Sequence, residues 1–277
     1  MNGVASTLLN PGRRPLDERL LGRVAVVSAH VGDAVLSLGA TLAHAAEAGA
    51  EVEVLTVFAC APTSNAPTDD RDRKSGFVSE GAAAKQRRIE DCAACSILGV
   101  APRWFDFGSA TYERRGSLEE IISAVRAATA GADTLLIPGY PLAHADQAAL
   151  GNELLCQDPG HSSIGLYAQQ PYAFDRRLAL HGPVETPPAA AAESGRLPWQ
   201  RAADAFTLQR AAGAFTWQRS VVRGRHRRMK LRAVKQYQSL LRGLGLRQAG
   251  IGHLRLHMML WYEAWQGGET IAWPNAT

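Results

Sequence analysis

The sequence predicts an α/β protein with a mostly parallel sheet and helices on both faces. Three observations carry that prediction. Val24 to Val27 are four apolar β-formers that run through Ser28 into a polar turn and then a helix-forming stretch. Glu51 to Phe58 follows as an alternating strand and closes a βαβ unit. A compact apolar run, Thr134 to Pro138, repeats the pattern of strand, polar loop and helix. The unit lacks a dinucleotide fingerprint, because Gly32 and Gly39 do not form a G-x-G-x-x-G pattern, and a nicotinamide cofactor is set aside.

Taken in order, residues 1–22 read as an extended N-terminal segment broken by Pro11 and Pro15. Strand Arg23 to Ser28 leads to a helix from about Ala34 to Ala48 that stops at Gly49. Ala61 to Gly76, rich in Pro, Asn, Thr and charge, reads as a loop at the same sheet edge. A helix from Ser79 to Leu98 ends at Gly99, and Trp104 to Phe107 suggests a short strand. Ser117 with Glu120 forms a capping box that opens a helix to about Ala130. Ala148 to Cys156 is read as helix and Ile164 to Phe174 as a further strand carrying Tyr167 and Tyr172. Residues 182–199, with many Ala and Pro, read as a linker or lid. Lys230 to Leu244 and Arg255 to Trp265 are read as helices. Leu254, Met258, Trp261, Tyr262 and Trp265 make an apolar stripe expected to be core. The expected organisation is therefore one domain over residues 23–245 with a C-terminal extension, 246–277, packing on it.

Composition narrows the classes of function. The 277 residues are 46% hydrophobic and 20% charged, an ordinary globular balance. No run approaches the ~18 apolar residues of a membrane helix, so no membrane partner is expected. Met1 to Arg19 has no apolar signal core, and a cytoplasmic location is expected. Four cysteines are too few for a disulfide framework. Cys92 and Cys95 fall one turn apart inside a helix rather than in a redox loop. The net charge of +4 is concentrated in Arg219 to Lys235. That run lacks aromatic interleaving or a binding motif and is read as a solvated helix start rather than a nucleic-acid site.

The chemistry-bearing residues lie at two strand ends. His30 and Asp33 stand in the turn after the first strand. His144, Asp146 and Gln147 stand in the loop after Thr134 to Pro138. In a parallel sheet both strand ends lie on one edge, so the two clusters are expected to converge. Tyr140 is a candidate oxyanion donor beside the second cluster, with a plain turn role before Pro141 as the competing reading. Arg87 is a candidate holder of an anionic or polyhydroxyl substrate, with pairing to Glu90 or Asp91 as the alternative.

The run from Val26 through His30, Asp33, Leu36, Gly39 and Thr41 to Ala43, followed by Gly49-Ala-Glu-Val, resembles the opening of the PIG-L / LmbE-like zinc de-N-acetylases. Their opening motif reads Ala-His-Pro-Asp-Asp-Glu. Arg87-x-x-Glu90 with Leu98-Gly99-Val100 is similar to the family's substrate-side helix, and His144-Ala-Asp146-Gln147 to its His-Pro-Asp-His motif. Lys230-x-x-Ala233-x-x-x-Tyr237-x-Ser239 is similar to its C-terminal helix. The resemblance implies a Rossmann-like fold and a zinc site that deacetylates an amino-sugar or related amide. It implies His30, Asp33 and the position of Gln147 as metal ligands, and His144, oriented by Asp146, as the catalytic acid or oxyanion-stabilising residue.

The departures fall on the chemistry. Gly32 stands where the family has its general-base Asp, Val31 replaces Pro, Ala34 replaces Glu, and Gln147 replaces the third ligand. A hydrolytic zinc wants three N/O ligands and an open position for water, and a neutral amide oxygen is a poor substitute for imidazole. The expectation is a divergent family member in small-molecule or natural-product metabolism, with zinc hydrolysis impaired and an amino-sugar or amide as ligand. Two alternatives stay open: an active metal-dependent amidase that recruits another ligand, with His161 and Glu153 as candidates, or a non-catalytic binding protein.

Overall fold

The computed structural model describes residues 16–109, 116–139, 144–156, 161–174, 215–220, 222, 224–244, 246–247 and 252–275. Its centre is a seven-stranded sheet: β1 (Arg23–Ser28), β2 (Glu51–Thr56), β3 (Ala101–Trp104), β4 (Thr134–Pro138), β5 (Ser163–Tyr167), β6 (Phe215–Ser220) and β7 (Glu269–Pro274). The spatial order is β3-β2-β1-β4-β5-β7-β6. The first five strands are parallel, and β7 runs antiparallel to both its neighbours. The helices are α1 (Asp33–Glu47), α2 (Asp70–Lys74), α3 (Glu80–Leu98), α4 (Leu118–Thr129), α5 (Ala145–Cys156), α6 (Gly224–Val234), α7 (Gln238–Gly243) and α8 (Leu254–Trp265).

Period-two alternation along β1 explains why both faces are covered. Val24 and Val26 point into one core with Leu38 and Leu42 of α1, Leu98 of α3 and Val234 of α6. Ala25 and Val27 point the other way, against Ile121 and Val125 of α4 and Leu150 and Leu154 of α5. A strand buried on both faces reads as a continuous apolar run, which Val24 to Val27 is.

The local signals that set helix ends act as expected in several places. Ser79 caps α3 by accepting from the Ala82 amide. Gly99 ends it at φ 75°, a left-handed conformation that glycine adopts without strain. Ser117 and Glu120 complete the capping box on α4. Ser117→Ala removes that cap and is expected to lower unfolding free energy by about 1 kcal/mol, measured by chemical denaturation.

Elsewhere the elements differ from the sequence reading. The loop 61–76 contains the short helix α2. The short strand expected at Trp104 to Phe107 lies at Ala101–Trp104, because it pairs in register with Glu53 to Thr56 of β2. Helix α5 begins at Ala145, inside the second His/Asp cluster. The strand expected to reach Phe174 ends at Tyr167. The single helix read from Lys230 to Leu244 is two, α6 and α7, with Tyr237 between them at a non-helical φ −76°, ψ 63°. Residues 246–277, read as an extension, contribute β7 to the sheet itself, between β5 and β6. The stripe on α8 is not core: Leu254, Met258, Trp261 and Trp265 are exposed, while Leu256 and Met259 face inward. Residues 1–15 and the linker 182–199 lie outside the described residues. Among those described, no helix is long and apolar enough to cross a membrane.

A buried ionic cluster ties the late elements to α1. Lys230 of α6 donates from Nζ to both carboxylate oxygens of Glu263 on α8 at 2.9 Å and lies 2.7 Å from Glu269 of β7. Glu269 in turn accepts from the backbone amides of Ala40 at 2.9 Å and Thr41 at 2.7 Å, in the middle of α1. All three ionisable side chains are buried. Burial, and then Glu269 beside it, pushes the Glu263 carboxyl up from its ordinary 4.5 to about 7 against the pull of Lys230.

Candidate functional site

Sheet order places the site. Chain connections leave β1 in opposite directions across the β1/β4 boundary, and ligands in open α/β sheets bind at such a switch point, beyond the strands' carboxyl ends. His30 and Asp33 follow β1, and His144, Asp146 and Gln147 follow β4, so the two clusters meet there. They line or adjoin a crevice of about 240 Å³ whose wall includes His30, Asp33, Arg87, His144 and Leu240.

The turn after β1 is held by its own polar groups. Ser28 Oγ donates to the His30 carbonyl at 2.7 Å and accepts from the Ala34 amide at 3.1 Å. Asp33 Oδ2 accepts from the His30 amide at 3.1 Å. Gly32 caps α1 at φ 90°, ψ −15°. A side chain there is strained by the backbone, and its Cβ would lie 2.5 Å from Leu240 Cδ2. The position at which the resemblance puts a general base is therefore a left-handed turn with a leucine packed over it.

His30 lies between two carboxylates. Its Nε2 is 3.0 Å from Asp146 Oδ2 and its Nδ1 is 3.4 Å from Asp33 Oδ2. Asp146 is fully buried and His30 partly so. Burial pushes the His30 imidazolium down, but the hydrogen bonds and charges of Asp146 and Asp33 outweigh it and hold the group up at about 9. His144 stacks edge-on against His30 with ring centroids 4.6 Å apart. The Asp146 amide donates to His144 Nδ1 at 3.2 Å, which leaves His144 its Nε2 to carry a proton.

Gln147 is fully buried and donates from Nε2 to Asp33 Oδ2 at 3.1 Å. Its Oε1 is buried without a hydrogen-bond partner. Turning the amide would set Oε1 against the carboxylate, so Asp33 fixes the orientation. The amide N–H, not an oxygen, thus faces the carboxylate expected to share a metal with it.

Helices α3 and α7 shape the opposite wall. Glu90 accepts from the Ser239 amide at 3.2 Å and from Ser239 Oγ at 2.6 Å. Asp91 accepts from Tyr237 Oη at 2.5 Å and from Trp104 Nε1 at 2.7 Å. The Arg87-x-x-Glu90 and Tyr237-x-Ser239 patterns are thus two sides of one hydrogen-bonded joint, and that joint sets Leu240 over Gly32. Arg87 faces the crevice and pairs with Asp72 rather than with Glu90 or Asp91. Asp72, buried on α2, is the site residue that the sequence reading missed. Its only signal was an acidic residue in a stretch read as loop.

The remaining candidates fall elsewhere. Tyr140 lies outside the described residues. His161 is bound through Nε2 to the Thr129 carbonyl at 2.8 Å and does not join the cluster. Cys92 and Cys95 are free thiols on α3, one exposed and one buried. Among the described residues, the donor atoms of His30, His144 and Asp146 lie within 4.8 Å of one another, a grouping that could hold a metal ion. Asp33 and Gln147, two of the three ligands implied by the resemblance, are outside it.

Comparison with known proteins agrees with this architecture. The PIG-L family model, GlcNAc-PI de-N-acetylase, matches residues 25–153. No curated protein matches the chain. Among solved structures, the pseudoaglycone deacetylase of the antimicrobial reagent A40926 is 25% identical with a TM-score of 0.65, covering 91% of this chain and 96% of its own. A triple mutant of a deacetylase in the teicoplanin biosynthetic pathway is 27% identical with a TM-score of 0.67, covering 91% and 97%. The N,N'-diacetylchitobiose deacetylase of Pyrococcus horikoshii, 15% identical with a TM-score of 0.51 over 91% and 82%, shares the fold. The matched segment carries both strand-end clusters, the alignment in space runs through nearly the whole chain, and over residues 25–153 the chain is similar to the PIG-L, or LmbE-like, family.

Proposed function

We propose that this chain is a divergent deacetylase-like protein that holds an amino-sugar or related amide in the β1/β4 crevice and does not run the family's zinc hydrolysis. The observation that carries the reading is the pairing of Gln147 with Asp33. The third ligand position presents an N–H to the carboxylate, and the base position is a left-handed glycine covered by Leu240. This donor set does not fit the family's zinc arrangement.

The crevice keeps groups that suit an amide ligand. The His30 side chain, with its ring nitrogens held by Asp33 and Asp146, forms a fixed polar wall of the crevice. His144, with Nδ1 committed to the Asp146 amide, offers Nε2–H as a donor. Arg87, fixed by Asp72, is placed to meet sugar hydroxyls or an anionic substituent at the opposite wall. A role in natural-product metabolism rests on the likeness to the A40926 pseudoaglycone deacetylase and the deacetylase of the teicoplanin biosynthetic pathway.

A second reading is favoured by one observation: the His30, His144 and Asp146 donors are close enough to hold a metal in a rearranged site. One experiment separates the two. The chain, supplied with zinc, is assayed on N-acetylglucosaminyl conjugates, and binding of the same compounds is measured calorimetrically. The first reading expects binding that His144→Ala weakens, with hydrolysis absent. Zinc-dependent turnover that is lost in both His144→Ala and Asp146→Asn and kept in Gln147→Ala would establish the second reading instead.

A further inference from the structure

The exposed face of α8 is the largest departure from the sequence reading that the crevice does not use. Leu254, Met258, Trp261 and Trp265 are spaced four, three and four residues apart and so share one side of the helix. Trp261 and Trp265 are 66% and 67% exposed, and their rings stack nearly parallel at 6.3 Å. The residues of α8 that pack inward are others: Leu256, Met259 and Glu263.

The stretch of sequence that leads into this face is strongly cationic. No Asp or Glu stands between Asp204 and Glu263, a span that holds twelve Arg and Lys. Glu263 itself is buried on Lys230. At the amino end of α8, desolvation and then the charges of Lys235 and Arg247 hold His253 below its ordinary 6.5, which places those two cations near the helix start. Arg247 is exposed there and donates to Gln238 Oε1 of α7. At the carboxyl end, Arg219 donates to Gln266 Oε1 at 2.9 Å.

An apolar, tryptophan-bearing helix face with a cationic rim fits one kind of surface. Indole rings favour the boundary between hydrocarbon and water, and Lys and Arg beside it gain energy from anionic headgroups. Pairing the face with a second copy would set these cations against each other. We propose that α8 docks this protein on an anionic lipid bilayer, with Leu254, Met258, Trp261 and Trp265 entering the interface and Lys235 and Arg247 meeting the headgroups. The helix lies on the surface and does not cross it, in keeping with the lack of a membrane-crossing helix among the described residues. The inference is independent of the chemistry in the crevice.

The test is co-sedimentation of the full chain with vesicles of phosphatidylglycerol and phosphatidylcholine, against phosphatidylcholine alone. Binding is expected to the anionic vesicles only and to fall with added salt. It is expected to drop roughly tenfold or more in Trp261→Ser/Trp265→Ser and in Lys235→Gln/Arg247→Gln. Circular dichroism checks the fold, and Met258→Gln serves as a milder second variant if the double tryptophan change unfolds. Equal binding to neutral vesicles, no binding at all, or binding unchanged in these variants would overturn the proposal. So would a dimer that Trp261→Ser/Trp265→Ser converts to monomer, which would assign the face to a second copy.

Discussion

Lys230→Met is expected to destabilise the fold by about 3–5 kcal/mol, since it leaves Glu263 and Glu269 buried without their cation. For a chain of this size that corresponds to a fall in Tm of roughly 6–20 °C by calorimetry. The effect is large because Lys230 joins α6, α8, β7 and, through Glu269, the amides of α1 that lie behind the site. Burial, and then the second carboxylate, Glu269, outweigh the shared ammonium there, which is why Glu263 holds its proton to about pH 7. A carboxyl raised above its unfolded value stabilises fully below that value, and the stabilisation is lost as pH rises through the folded one. Glu263→Gln should therefore flatten the Tm profile between the ordinary 4.5 and about 7. An unchanged profile would remove Glu263 as the titrating group.

If the proposed function holds, zinc hydrolysis in this crevice is expected to need three substitutions, and the intermediates should show why. Gly32→Asp alone is expected to cost about 2–5 kcal/mol, from the left-handed backbone and the overlap with Leu240. Adding Leu240→Ala should recover the packing part of that loss and leave the backbone part. Adding Gln147→His to this pair supplies the missing imidazole and releases Asp33 from the glutamine amide. Only the triple variant is expected to bind zinc tightly and to deacetylate, with a gain of about 10²–10⁴-fold over the same chain lacking the Asp. Activity in Gly32→Asp/Gln147→His with Leu240 intact would contradict the view that Leu240 closes the base position.

What could be read from the sequence was local or periodic. Val24 to Val27, Thr134 to Pro138 and the Ser117 capping box declare themselves within a few residues, and the parallel-sheet rule then brings His30 and His144 to one edge. The two positions on which the proposed function rests, Gly32 and Gln147, stand out in the same way, as departures at fixed positions in short motifs. What could not be read depends on partners far away in the chain. Strand β7 joins the sheet through pairing with β5 and β6, about a hundred and about fifty residues back, and no local pattern marks it. Leu240 over Gly32 and Arg87 on Asp72 are tertiary contacts of the same kind. The α8 stripe misled because helical spacing of apolar residues identifies a face, while only the assembled fold decides whether that face is covered.

The central claim concerns whether Asp33 is free to take a metal. Calorimetric titration of the metal-free chain with zinc, with metal analysis of the product, addresses it most directly. The account predicts no stoichiometric site tighter than micromolar that depends on Asp33, with the Gln147 amide still holding that carboxylate. One tightly bound zinc per chain, lost in both Asp33→Ala and Gln147→Ala, would contradict it.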